Sequence, residues 1–193
     1  MPTISIVYFS GSGHTTKLAE AVREGAISFD GATVHLLPIT GDEIEKGRYK
    51  NDDTLAKLDA SDAIVFGSPT YMGGPAAQFK AFADATGERW FKSAWRDKLA
   101  AGFTISNSPS GDKFSTLQYF HTLAMQHGMV WIGLGEMPMQ ANGGNRLGGF
   151  GGFGGAMAQA GFESPDIAPS AEDKLTGRLL GKRIATFAAM LKK

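Results

Sequence analysis

Short unbroken apolar runs alternate along the chain with stretches in which apolar residues recur every three or four positions. Ile4 to Phe9 is β-branched and aromatic, stops at Ser10-Gly11-Ser12-Gly13, and predicts a strand. From Thr15 the period changes. Leu18, Val22 and Ala26 share one face while Lys17, Glu20, Arg23 and Glu24 lie elsewhere, predicting an amphipathic helix that ends near Ser28. Thr33 to Leu37 reads as a second strand, and Ala63 to Gly67 as a third. The third lacks alternation, as expected where both faces are covered. Leu99 to Ile105 and Met129 to Ile132 supply two more.

Between these strands lie a weak helical turn around Leu55 and Leu58 and a helix starting at Pro75, a favoured first position. That helix carries Ala76, Phe79, Phe82 and Ala83 on one face. A further helix is predicted to open with Ser115 and Gln118 as a capping box and Phe114 with Tyr119 as a staple. The last starts at Ser170, with Glu172 and Asp173 in its first turn, and ends in Lys192-Lys193, which suits the helix dipole. Residues 42 to 53 form a charged, solvated connection or a rim of the site. Residues 141 to 161 hold nine of the 26 glycines and predict no element.

Five alternations of strand and helix call for an α/β fold: a doubly wound, five-stranded parallel sheet with helices on both faces. The common strand order is 2-1-3-4-5, with ligands bound beyond the carboxyl ends of the strands at the switch point. A length of 193 residues is read as one domain, 1–193, with the Gly-rich loop 141–161 inserted before the last helix.

Composition narrows the chemistry. The absence of cysteine excludes disulfides, Fe–S clusters, thiolate nucleophiles and cysteine-type zinc sites. Nineteen basic residues against 19 acidic ones argue against nucleic-acid binding by phosphate neutralisation. Met1-Pro2-Thr3 carries no basic n-region, and the uncharged run Leu147 to Phe162 is too short and glycine-rich to span a membrane. The expectation is a soluble, cytoplasmic protein.

Three loops follow strands at one edge of the predicted sheet. Ser10-Gly11-Ser12-Gly13-His14-Thr15 leads into a helix N-terminus. Its small residues let the backbone wrap a phosphate, with amides and the hydroxyls of Ser10, Ser12 and Thr15 as donors. It is not a P-loop, because no Gly-Lys-Ser/Thr follows. Nor is it a Rossmann fingerprint, because Thr16 stands at the third glycine and strand two ends in Pro38-Ile39-Thr40. Gly67-Ser68-Pro69-Thr70-Tyr71-Met72-Gly73-Gly74-Pro75 offers a flat apolar wall with free amides. Ser106-Asn107-Ser108-Pro109-Ser110-Gly111-Asp112 is polar and suits the edge of a heterocycle. Each alone also fits an ordinary turn. Together they describe a site for a phosphorylated planar ring, and one phosphate cradle without a ribose acid fits FMN better than NAD.

Ser10-x-x-Gly-His-Thr, Gly-Ser-Pro-Thr-Tyr-Met-Gly and Gln126-His127-Gly128-Met129 resemble the flavodoxin-like FMN proteins of the WrbA type, which are NAD(P)H:quinone oxidoreductases. The resemblance implies non-covalent, tightly bound FMN, with its phosphate on Ser10 to Thr15 and its ring against Pro69, Thr70, Tyr71, Met72, Gly73 and Gly74. The surroundings of the pyrimidine and dimethylbenzene rings would be Ser106, Asn107, Ser108, Pro109, Ser110 and Gly111. Either Gln126 or His127 would approach the flavin. Trp90 matches an aromatic that closes over the flavin of a neighbouring subunit, implying a substrate-facing role and a homodimer or homotetramer. Three departures stand out: Ser12 where the family often has tyrosine, no Thr-Gly-Thr-Gly-Gly run after strand four, and a different Gly-rich stretch at 143–155.

The expected activity is hydride transfer from NAD(P)H through FMN to a quinone or similar flat acceptor, with no side chain as acid or base. A flavodoxin-type one-electron carrier and a non-catalytic FMN-binding protein are the alternatives. His121 and His127 are six apart, off the spacing that puts two ligands on one helix face, so no metal site is expected. His14 is assigned a hydrogen-bonding role. Trp95, Trp131, Phe150 and Phe153 are assigned to packing or subunit contact.

Overall fold

The computed structural model describes residues 1–138, 143–147 and 152–191. In chain order its first half contains β1 (Thr3–Phe9), α1 (His14–Ile27), β2 (Thr33–Ile39), β3 (Ile44–Glu45), β4 (Arg48–Tyr49), α2 (Asp52–Asp59) and β5 (Ala63–Tyr71). There follow β6 (Gly74–Pro75), α3 (Ala77–Ala85), α4 (Gly87–Phe91), β7 (Leu99–Ser106), α5 (Lys113–Gln126), β8 (Val130–Trp131), β9 (Ala156–Gln159) and α6 (Ala171–Leu191).

The main sheet runs β2-β1-β5-β7-β8 with every neighbouring pair parallel, the expected 2-1-3-4-5 order. Its strands feed two apolar layers because alternate side chains point to opposite faces. Ile4, Ile6 and Tyr8 of β1 pack towards α1 and α6 with Leu18, Val22, Leu180 and Ile184. Val7 and Phe9 turn the other way and join Phe66, Phe79, Phe82, Leu117 and Phe120 beneath α3 and α5. Phe79 is the hub there, with ring centroids 4.7 Å from Phe120 and 5.6 Å from Phe82. On the other face, α1 and α6 meet at glycines. A Cβ on Gly181 would sit 2.8 Å from the Val22 carbonyl carbon, and one on Gly25 would sit 2.6 Å from that of Arg178.

The fifth place in the sheet is divided. β8 pairs with Leu99 and Ala100 at the start of β7, whereas β9 pairs with Phe103 to Ser106 at its end. The glycine-rich span 141–161 therefore contains a strand where none was expected. Ala156-Met157-Ala158-Gln159 has no β-branched residue, so its extended form comes from pairing with β7 rather than from propensity.

Other boundaries also move. Pro75 belongs to β6, opposite Thr70, and α3 starts two residues later. α5 starts at Lys113 rather than at Ser115, behind Asp112 with φ 53° and no side-chain cap. The expected box and staple do not form that start, and Phe114 is left half exposed. Lys113, the first residue of the helix, is buried. The weak turn near Leu55 is a complete two-turn helix, α2, capped by Asn51, whose side-chain oxygen accepts the Thr54 amide at 2.9 Å. Trp95 is fully buried and donates its indole N–H to Asp59 Oδ1 at 2.7 Å, so it offers nothing to a subunit contact. Trp131 likewise donates internally, to the Gly154 carbonyl at 2.8 Å, while Phe153 is half exposed. Phe150 and the terminal Lys192-Lys193 lie outside the described residues.

Candidate functional site

The loop after β1 is drawn into a cradle by Ser10, whose Oγ accepts the amides of Gly13 (3.1 Å) and Thr16 (3.3 Å). Both bonds use the oxygen, so the hydroxyl hydrogen stays free to donate. Gly13 has φ 90°, a conformation that glycine adopts without strain, and it delivers the chain into α1. The amides of His14 and Thr15, at the start of α1, have no carbonyl within the helix to bond, so this end offers donors and a positive dipole end to the cleft. His14, almost buried, bonds Ser12 Oγ through Nδ1 (2.9 Å) and the Glu163 carbonyl through Nε2 (2.8 Å). A carbonyl only accepts, so Nε2 carries a hydrogen and donates it to Glu163. The two bonds tie the cradle to the segment after β9.

The second wall comes from the end of β5. Beneath it runs a buried hydroxyl chain. Thr104 Oγ1 donates to the Ser68 carbonyl (2.7 Å), so Thr70 must donate to Thr104 (2.9 Å) and Thr116 to Thr70 (2.8 Å). The chain pins β5, β7 and α5 together directly under the site. The third wall is the end of β7. Lys113 Nζ, from α5, donates to Ser106 Oγ (2.6 Å) and to the Ser108 carbonyl (2.8 Å), which Ser106 Oγ also reaches at 3.0 Å.

These walls enclose a cleft of roughly 560 Å³. Ser12, His14 and Thr15 line one end, Pro69, Thr70 and Tyr71 one side, and Ser106 and Asn107 another. Sequence reasoning missed the fourth wall, Ala160 to Pro165, which carries the fully exposed Phe162. No signal marked it, because it follows the strand hidden in the glycine-rich span. Glu163 lies there too, its carboxyl held below the ordinary range by its own backbone amide and by that of Gly161.

Several predicted residues stand outside the lining. Met72 and Gly73 form the exposed turn between β5 and β6, with Met72 at φ 48°, and Gly74 opens β6 opposite Tyr71. Ser108, Pro109, Ser110 and Gly111 curl back towards Ser106. A Cβ on Gly111 would lie 2.8 Å from Ser106 Cβ. Gln126, His127 and Trp90 are gathered at the opposite edge of the sheet, in a depression they share with Phe91, Arg96 and Gly128. The end of α5 and the short α4 both lie there, far from the carboxyl ends of the strands.

His127 is buried, its ring 4.5 Å from that of Trp95. Thr86 Oγ1 spends its hydrogen on the Ala83 carbonyl (2.7 Å), so His127 Nε2 donates to Thr86 at 2.9 Å. Nδ1 has no partner among the described residues. A second ring proton would find no acceptor, and burial lowers the ring from 6.5 to about 4. The proton is thus taken up by the unfolded chain first. His127 contributes its stability in full above pH 6.5, and that contribution drains away as the pH falls towards 4. His127→Gln is expected to flatten the fall of the thermal midpoint between those values. Parallel wild-type and variant profiles would contradict this.

The residues present fit FMN: an anion cradle at a helix start, an apolar flank and a polar edge meet at the topological switch point of the sheet. Such a fold and site define the flavodoxin-like class of nucleotide-binding proteins. The NADPH-dependent FMN reductase family matches residues 4–142, and the chain belongs to it. It is 38% identical over 188 residues to Flavodoxin FldP of Pseudomonas aeruginosa (strain UCBPP-PA14), covering 96% of each chain. It is 35% identical over 207 residues to an NAD(P)H dehydrogenase (quinone) of Geotalea uraniireducens (strain Rf4), covering 97% of this chain and 98% of the other. Among solved structures it superposes on a flavodoxin, WrbA-like protein from Agrobacterium tumefaciens with a TM-score of 0.77 and 42% identity, over the full length of both. The expected resemblance and fold class therefore hold, and the chain is an oxidoreductase of the FMN type. No helix among the described residues is long and apolar enough to cross a membrane.

Proposed function

We propose that the chain, read as one flavodoxin-like domain, holds FMN non-covalently in this cleft and carries hydride from NAD(P)H to a quinone or similar flat acceptor. The observation that carries the reading is the convergence of the loops after β1, β5 and β7 on one open cleft. Ser10, Gly11, Ser12, Gly13, His14 and Thr15 would hold the phosphate. Pro69, Thr70 and Tyr71 would flank the ring, and Ser106 and Asn107 would meet its polar edge. FMN would supply the two-electron chemistry itself, while the protein positions the rings and sets the charge around them. One open side lets reductant and acceptor use the same face in turn, which gives ping-pong kinetics.

Trp90 and Phe91 are well exposed at the far edge of the sheet and cannot reach the cleft of their own chain. They support a homo-oligomer in which one copy's α4 lies over another copy's cleft. Light scattering that shows only monomer at working concentration would remove that part of the reading.

The 38% identity to a protein named flavodoxin favours a second reading, a one-electron carrier. One experiment separates the two. The protein is loaded with FMN, NADH or NADPH is added without oxygen, and the yellow flavin band is followed. Rapid bleaching without half-reduced flavin is the expected result. Tightly held flavin that does not bleach, and that lingers half-reduced on stepwise chemical reduction, would favour the carrier. Failure to retain FMN would overturn both.

A further inference from the structure

Lys113 is a lysine with 1% of its surface exposed, and it lies directly behind the polar wall of the cleft. Its Nζ reaches forward to Ser106 Oγ, which lines the cleft, and to the Ser108 carbonyl. The charged groups that face it are Asp173, on α6, and Arg146, from the 143–147 segment. Asp173 is fully buried and already committed. Its Oδ1 is 2.8 Å from Arg146 Nε, and its Oδ2 accepts Arg146 Nη2 and the Gln159 amide, each at 2.9 Å. Arg146 thus engages Asp173 directly, with the exposed Glu172 also close enough to Arg146 to feel its charge, and Lys113 is the cation of the group that reaches the 106–111 loop. A structural lysine needs only its hydrogen bonds, whereas this one adds charge to the back of a ligand cleft.

We propose that Lys113 is a positioning residue that holds the 106–108 backbone against the ring and favours the reduced form of a bound flavin. This rests on the reading of the cleft as an FMN site. Accepting a hydride, two electrons and one proton, turns a neutral flavin ring into an anion. A buried positive charge behind the ring's polar edge therefore binds the reduced form more tightly than the oxidised one. Burial, partly offset by Asp173, brings the Lys113 ammonium down to about 8, so the effect fades as the pH rises through that value.

The test measures binding of oxidised FMN and of dithionite-reduced FMN by the full chain and by Lys113→Met and Lys113→Arg. At pH 7 Lys113→Met is expected to lower the reduced-to-oxidised affinity ratio roughly tenfold, a fall of about 30 mV in the two-electron midpoint of the bound flavin. Lys113→Arg keeps the ratio within about threefold, because guanidinium stays charged. Between pH 7 and 9 the wild-type ratio should fall, relative to free FMN in the same buffers, while that of Lys113→Arg stays level. A variant that merely loosened the loop would weaken both forms alike. Equal ratios in wild type and Lys113→Met overturn the proposal and leave the FMN site standing. A wild type that binds neither form overturns the site as well. Should Lys113→Met fail to fold, a wild-type ratio that does not change from pH 7 to 9 is itself the overturning result.

Discussion

Replacing Asp173 by alanine is expected to lower the thermal midpoint by roughly 6–20 °C. Asp173 is fully buried and answers to Arg146 on one side and to the Gln159 amide on the other. Burial pushes its carboxyl up from the ordinary value, while Arg146, the Gln159 amide and Lys113 pull it back. Removing one member of a buried charge cluster costs about 3–5 kcal/mol; Arg146 keeps 31% of its side chain in solvent, but Lys113 is buried and would lose the carboxylate that faces it. In a chain of this length each kcal/mol moves the midpoint by about 2–4 °C. Lys113 would be left buried without a facing carboxylate, Arg146 would lose its bidentate partner, and β9 would lose the acceptor that anchors its last amide to α6. Asp173→Asn keeps an oxygen for that amide and should lose less. Calorimetry on both variants decides the matter, and a loss below about 2 °C for the alanine variant contradicts the account.

Gly181→Ala should destabilise, although alanine is ordinarily the better helix former by about 1 kcal/mol. The reason is the crossing of α1 and α6, where the Cβ would press on backbone rather than on side chains that could turn aside. A Cβ on Gly177, on the preceding turn, would sit 3.0 Å from Leu18 Cδ1, and Gly25 answers from α1, so the neighbouring positions are tight as well. Overpacking of this kind costs about 1–3 kcal/mol. The expected midpoint is several degrees below wild type, and Gly181→Val should fall further. A rise for the alanine variant would show that the helices part freely.

Much of this architecture could be read without coordinates. β1, β5 and β7 are apolar runs long enough to announce themselves, and the sites at their carboxyl ends follow from topology. Ser12, His14, Thr15, Pro69, Thr70, Tyr71, Ser106 and Asn107 come together as expected because each stands where a parallel strand gives out. What escaped were features decided at a distance. β9 is a strand only because β7 has unpaired edge left beyond Ala100. The wall from Ala160 to Pro165 depends on that strand. The separation of Gln126 and His127 from the cleft is a matter of helix length. α5 has 14 residues, so it carries them about 21 Å from its start. Lys113 did leave a trace: with Thr116, Leu117 and Phe120 it shares a face whose other members are all buried. A lysine on such a face is worth stopping at.

The division of the fifth strand also bears on how such a chain can change over generations. β7 holds β8 at one end and β9 at the other, so the sheet does not need the residues between them to have a particular length. An insertion there would add surface without shifting the strands that carry the ligand loops, since loop closure grows costlier only slowly with length. It is a natural place for descendants to diverge in the company they keep while retaining the same chemistry, and a sensible joint at which to graft a foreign segment.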